Sequence, residues 1–182
     1  SPGCLLLLGA LCWRDEGAGL RPWGLAAWVL HELGHIASAA AFGGRVERLS
    51  LTVVGAELHI DYRAPLTYIK DSLVALAGPG ANLLAGGLFL ALDWDLAAAL
   101  TLAVGTFNLL PILPLDGGRV VYGLIADRLD PDWAERLMTA LSGCLVGVLV
   151  GVGAVAAAYY ANVTLLLTAI WLLAGVLRRE SV

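Results

Sequence analysis

Charge is what this sequence has least of. Asp, Glu, Lys and Arg make up only 14% of its 182 residues, and the stretch 137–177 contains none of them. A soluble domain carries about 25% charged residues, so that scarcity argues against a water-exposed globule. The 11 basic residues are outnumbered by 15 acidic ones, and no basic run is interleaved with aromatics. A nucleic-acid partner is thereby excluded. Cysteine is also scarce: Cys4, Cys12 and Cys144 all lie in apolar segments without paired spacing. Neither a disulfide framework nor a cysteine zinc cluster fits that pattern, and the three are expected to be small buried hydrophobes. Internal repeats and low-complexity runs are absent as well.

What fills the chain is apolar: 59% hydrophobic residues and a mean hydropathy of +0.82. Six apolar segments stand out, at about 3–13, 22–42, 72–92, 96–113, 137–158 and 162–177. Several approach the roughly 20 residues that a membrane-spanning helix needs. The expected fold is therefore an all-α polytopic membrane protein of about six transmembrane helices, with residues 1–182 forming a single membrane-embedded domain. Between the second and third segments, residues 45–62 alternate apolar and polar side chains on either side of Gly55. That alternation predicts a small membrane-associated β-hairpin. Gly78-Pro79-Gly80 inside the third segment predicts a broken or kinked helix.

With six spans, nine of the 11 basic residues fall on one face: Arg45, Arg48, Arg63, Lys70, Arg119, Arg128, Arg136, Arg178 and Arg179. The positive-inside rule then places both termini and the hairpin in the cytoplasm of a multi-pass cell-membrane protein. Trp13, Trp23 and Trp28 fall near segment ends and read as an interfacial aromatic belt. The mixed-sign run from Asp127 to Arg136 reads as a solvated face.

Chemistry concentrates in two places. His31-Glu32-Leu33-Gly34-His35 lies within the second segment, and residues four apart share one helix face, so both imidazoles can hold one metal ion. Zn2+ is the expected ion, and Glu32, next to the first ligand, is placed as the general base that takes a proton from water. Ionisable residues in a membrane span are costly to keep and usually functional. Two histidines leave a catalytic zinc site one ligand short. The stretch from Phe107 to Arg119 contains Pro111, Pro114, Asp116, Gly117 and Gly118. Alone, such a cluster reads as a turn; beside an intramembrane HExxH, it reads as a tight turn aiming Asp116 inward as the third ligand. His59, in the predicted hairpin, has no ligand spacing and reads as structural.

With HExxH at His31–His35 and NxxPxxPxDG at Asn108–Gly117, the sequence resembles the site-2 protease family of intramembrane zinc metalloproteases (peptidase M50). The resemblance covers a catalytic core at about 20–130. It implies zinc held by His31, His35 and Asp116, Glu32 as general base, and a peptide bond in a membrane-embedded or membrane-associated protein as the target. Asn108 matches the motif asparagine, and its amide is expected either to bind substrate or to make an interhelical hydrogen bond; the same pair of readings applies to Asn82 on the facing helix. The short Leu113–Arg119 form, LPLDGGR, is similar to the group containing stage IV sporulation protein FB, which implies a sigma-factor precursor or anti-sigma factor as the kind of substrate. The expected partners are the lipid bilayer, that substrate and a small membrane regulator. The open edge of the hairpin is a place where an unwound substrate segment could add as a strand; its other reading is a cap on the helix bundle.

Two competing readings have weaker support. A zinc peptidase of another HExxH clan wants a Glu ligand on a later helix, and no such motif stands after Gly117. A metal transporter wants ligands repeated along several spans.

Overall fold

A computed structural model describes residues 20–52, 55–62, 65–160 and 163–179. The expected first segment at 3–13, with Cys4 and Cys12, lies outside the described residues. The rest is mainly helical: α1 Leu20–Ala41, β1 Arg45–Thr52, β2 Gly55–Asp61, α2 Tyr68–Ala91, α3 Asp95–Asn108, α4 Asp116–Ala126, α5 Pro131–Tyr160 and α6 Thr164–Arg179. Helix α2 is the hub, packing against α1, α3 and α4, while α5 pairs with α6 and touches α4.

Helix α1 stops where Gly43 takes a positive φ of 82°. The Gly44 N–H then bonds back to the Ala39 carbonyl at 2.8 Å, an arrangement that a side chain at position 43 would strain. The chain turns from there into β1, which pairs antiparallel with β2 from Arg45↔Asp61 to Thr52↔Gly55, with an irregularity between Val46 and Arg48. The sheet has two strands, so among the described residues each strand keeps one edge unpaired. His59 is exposed on β2 and stands apart from the metal-binding histidines. Thr67 caps the start of α2, its hydroxyl accepting from the Lys70 N–H at 3.4 Å.

Of the broken or kinked helix expected at Gly78-Pro79-Gly80, the break does not form, while the helix within the expected segment at 96–113 ends ahead of its prolines. Helix α2 runs unbroken through Pro79. The missing Pro79 N–H costs the Ala75 carbonyl its partner, but α1 and α3 press on this stretch closely enough to hold it. A Cβ at Gly34 would sit 2.5 Å from the Ala77 carbonyl oxygen, and one at Gly105 would sit 3.2 Å from that of Pro79. The real interruption comes later, inside the expected segment at 96–113. Helix α3 ends at Asn108 after 14 residues, about 21 Å, because Pro111 and Pro114 cannot continue it. The chain then crosses the interior as a turn and starts again as α4 at Asp116.

That turn is wedged in place. Ile112 and Leu115 are each 1% exposed and join Val146, Leu172 and Val176 in one apolar cluster. The Leu113 N–H donates to Ser142 Oγ at 2.9 Å, and the same hydroxyl donates to the Met138 carbonyl at 2.6 Å. Each such bond contributes about 1 kcal/mol net, and an orphaned buried partner costs about 1–3 kcal/mol.

Polarity is distributed opposite to that of a soluble protein. Buried polar residues include His31, Asn82, Thr101, Asn108, Asp116 and Ser142, whereas Leu84, Leu88, Val148, Val155 and Leu167 are exposed. So large an exposed apolar surface is foreign to a water-soluble monomer. Cys144 follows the same inversion: expected to be buried, it is exposed on α5. Two helices, at Tyr68–Ala91 and Pro131–Tyr159, are long and apolar enough to cross a membrane.

The two ends of the bundle differ. At one end Lys70 Nζ lies 5.9 Å from the centre of the Phe42 ring, and Arg119 pairs with Asp71 at 2.8 Å. Both partners of that pair are about 40% exposed, so it is worth roughly 0–1 kcal/mol. At the other end Trp23, Phe89 and Trp94 pack ring to ring at 5.7–5.9 Å. Trp28 departs from the expected belt, packing inward on Ala27 and Val104.

Candidate metal centre

His31 lies about 16 Å along α1, near the middle of its 22 residues. One turn later His35 projects from the same face, and the two rings meet edge to face with centroids 4.7 Å apart. Asp116 is 85 residues away in sequence from His31 but enters from the first turn of α4. Its Oδ2 lies 2.9 Å from His31 Nε2 and 3.3 Å from His35 Nε2, and the two Nε2 atoms are 3.1 Å apart. The side chain that aims at the histidines is thus set by where α4 begins. Gly117 and Gly118 make that position accessible, because a Cβ on Gly117 would run into the Leu109 carbonyl and one on Gly118 into that of Ile112.

The donor set can be tested against an ion. Zinc takes His nitrogens and carboxylate oxygens at about 2.0–2.2 Å in a tetrahedron, whose neighbouring ligand atoms stand about 3.3 Å apart. The three separations here, 2.9, 3.1 and 3.3 Å, lie at or slightly below that spacing, with all three residues buried and their donor atoms within 4.8 Å of one another. Two imidazoles and one carboxylate also leave a fourth position open, as a catalytic site requires. His31, His35 and Asp116 therefore form a group positioned to bind a metal ion.

Helix α2 supports both rings from behind. The His35 Nδ1–H donates to the Val74 carbonyl at 2.8 Å, fixing Nε2 as the nitrogen that faces Asp116. Asn82 Nδ2 stands 3.5 Å from His31 Nδ1. Gly78 lies between these two contacts, and a Cβ there would collide with the His35 imidazole. The role of Val74 is invisible in sequence, since any residue offers a carbonyl. Gly78 does leave a sequence signal: a small residue within Gly78-Pro79-Gly80, on the helix that faces HExxH.

Glu32 is half-buried next to His31. Asn108 is fully buried at the end of α3, with its Nδ2 donating to the Val104 carbonyl one turn back at 2.9 Å. Asn82 is likewise fully buried, and of the two asparagines it is the one set against a ligand, His31.

Comparison with known proteins agrees with this arrangement. The Peptidase M50B-like family model matches residues 3–126. Stage IV sporulation protein FB of Bacillus subtilis is 30% identical over 129 residues, covering 65% of this chain and 45% of that protein. A zinc metalloprotease of Methanocaldococcus jannaschii is 28% identical over 112 residues, covering 55% of this chain and 32% of that protein. The chain spans less than half the length of either relative. In fold, it is similar to the solved site-2 protease from Methanocaldococcus jannaschii, with a TM-score of 0.68 over 96% of this chain and 85% of that one, at 20% identity.

Proposed function

The chain belongs to the Peptidase M50B-like family, and on that premise we propose that it is an intramembrane zinc metalloprotease hydrolysing a peptide bond of a membrane-embedded or membrane-associated protein. The observation that carries this reading is the convergence of His31, His35 and Asp116 inside a bundle whose outer surface is apolar. Residues 1–182 act as one membrane-embedded unit crossing the bilayer about six times, with α3 and α4 together forming one interrupted crossing. Non-helical backbone at membrane depth is tolerated where protein surrounds it, as Ile112, Leu113 and Leu115 are surrounded here.

His31, His35 and Asp116 would hold the zinc, each through one atom. Zinc bound there supplies a Lewis acid for the scissile carbonyl and makes water acidic enough to react near neutral pH. Glu32 takes the proton from the attacking water and gives it to the amide nitrogen as the C–N bond breaks. To Asn108, the motif asparagine at the break between α3 and α4, we assign binding of the substrate backbone. The substrate class that this implies is a single-span membrane protein, such as the precursor of a transcription factor or an anti-sigma factor, with a small membrane protein as regulator. Co-expression with candidate single-span proteins, followed by sequencing of the product, tests this. A new terminus is expected with the intact chain and not with Glu32→Gln, and equal cleavage by both would refute it.

The end bearing Arg45, Lys70 and Arg119 faces the cytoplasm in this account, and the Trp23–Trp94 end faces outward. In a cysteine-free background, an impermeant maleimide added to intact cells should label a cysteine at Asp93 and spare one at Asp130. Labelling at 130 alone would reverse the orientation.

Before cleavage, an extended segment adds to the free edge of the β1–β2 hairpin, drawing its affinity from main-chain hydrogen bonds. Proline placed in turn at Thr52, Val54, Leu58 and Ile60 removes one N–H at a time. Cleavage should fall selectively for one strand; unchanged cleavage for all four in a zinc-loaded protein would eliminate the hairpin as the docking edge.

A further inference from the structure

The support behind the two histidines is uneven, and the difference identifies a role for one asparagine. His35 has a backbone acceptor for its Nδ1–H, the Val74 carbonyl at 2.8 Å. Among the described residues His31 has none; what stands against its Nδ1 is the carboxamide of Asn82, at 3.5 Å. Val74 and Asn82 lie on the same helix, eight residues apart, and each reaches a different imidazole of α1. Asn82 is 0% exposed, and its Oδ1 is buried with no hydrogen-bond partner among the described residues. It is confined from the other side by α3, where a Cβ on Gly105 would come within 3.0 Å of the Asn82 Cβ. A buried carbonyl oxygen without a partner costs about 1–3 kcal/mol, so this orphan calls for an explanation.

The chemistry of the imidazole supplies one. A histidine that binds a metal through Nε2 carries its proton on Nδ1 and needs an acceptor there. The carboxamide holds a donor and an acceptor on one rotor, and a half-turn about the Cβ–Cγ bond exchanges them. With Nδ1 protonated, an N–H of Asn82 facing it would leave two donors opposed and unbonded. The half-turn puts Oδ1 against Nδ1 and leaves the amide N–H groups where Oδ1 stood, replacing two opposed donors by one hydrogen bond.

We propose that Asn82 is a positioning residue for His31: its Oδ1 accepts the Nδ1 proton and thereby commits Nε2 to the metal. Asn82 then acts through the ligand rather than on the substrate, and does from a side chain what Val74 does from its backbone. This inference rests on the metal-centre reading above, and the experiment separates the two.

Zinc affinity is measured on purified full-length chain in detergent, by competition with a chelator of known affinity, together with the unfolding midpoint. Asn82→Leu, of similar bulk but with no acceptor, should bind zinc about 10–100-fold more weakly. Asn82→Asp, which always presents an acceptor, should restore affinity to within about threefold of the original, a rescue that a purely space-filling role would not give. Independently of any variant, nitrogen-15 histidine spectra of the zinc-loaded protein should show His31 protonated on Nδ1, with that proton hydrogen-bonded. Unchanged affinity in Asn82→Leu, no rescue by Asn82→Asp, or a His31 Nδ1 proton that is not hydrogen-bonded would each overturn the proposal while leaving the metal centre standing, whereas a His31 protonated on Nε2 would overturn both. An intact chain that binds no zinc would overturn the metal centre, and this proposal with it.

Discussion

Glu32→Gln is expected to keep its zinc and lose turnover by about 10²–10⁴-fold, the range that a positioned general base supplies. Gln fills the same space and keeps the polarity, but its amide cannot accept the water proton. Asp116→Ala should behave differently, losing zinc and turnover together. Its carboxylate is the one donor that α4 brings to the two imidazoles, with Oδ2 2.9 and 3.3 Å from their Nε2 atoms. Elemental analysis alongside a cleavage assay separates the two outcomes. Retention of zinc and activity in Asp116→Ala would mean that the third ligand lies elsewhere and that the Asn108–Gly117 motif has been misread.

Gly78→Ala is expected to lower cleavage by about 10²-fold, from one added methyl group. A Cβ at this position has the His35 imidazole as its nearest neighbour, with Nε2, Cε1 and Cδ2 all in collision range. The ring cannot simply swing aside, because Nδ1 is tied to Val74 and Nε2 faces Asp116. Either the ligand is displaced by a fraction of an ångström or α2 moves off α1, and misplacement of about 1 Å in a reacting centre can cost about 10²-fold. Overpacking should also cost about 1–3 kcal/mol of stability. The control lies two residues away: a Cβ at Gly80 meets nothing within 4 Å, so Gly80→Ala should keep activity and stabilise the helix by up to about 1 kcal/mol. Equal cleavage rates for the two variants would show that the close approach of α2 to His35 is not needed.

These residues also show how far the sequence alone could be read. The grouping of His31 and His35 was legible because helical periodicity by itself puts residues four apart on one face, and that of Asp116 because an acidic residue in a Pro/Gly cluster is anomalous beside them. The restart at α4 was not legible. Prolines announce where a helix stops, but whether the chain resumes as a helix depends on Ile112 and Leu115 being seated among Val146, Leu172 and Val176, a tertiary event. The sequence left open whether α2 breaks or only kinks at Pro79, because a proline's local penalty can be offset by helices packed on both sides, here α1 and α3, which local pattern does not reveal. Cys144 went wrong through the sign of burial, since in an apolar surround the outward face of a helix is where an apolar residue can sit exposed.

The central claim is that one zinc is held by His31, His35 and Asp116, and zinc-edge X-ray absorption on the purified chain tests it most directly. The account predicts one zinc per chain with only nitrogen and oxygen neighbours at about 2.0–2.2 Å and the multiple scattering of two imidazoles. A sulfur shell at about 2.3 Å, which would bring in a cysteine, or an active chain without zinc, would contradict it.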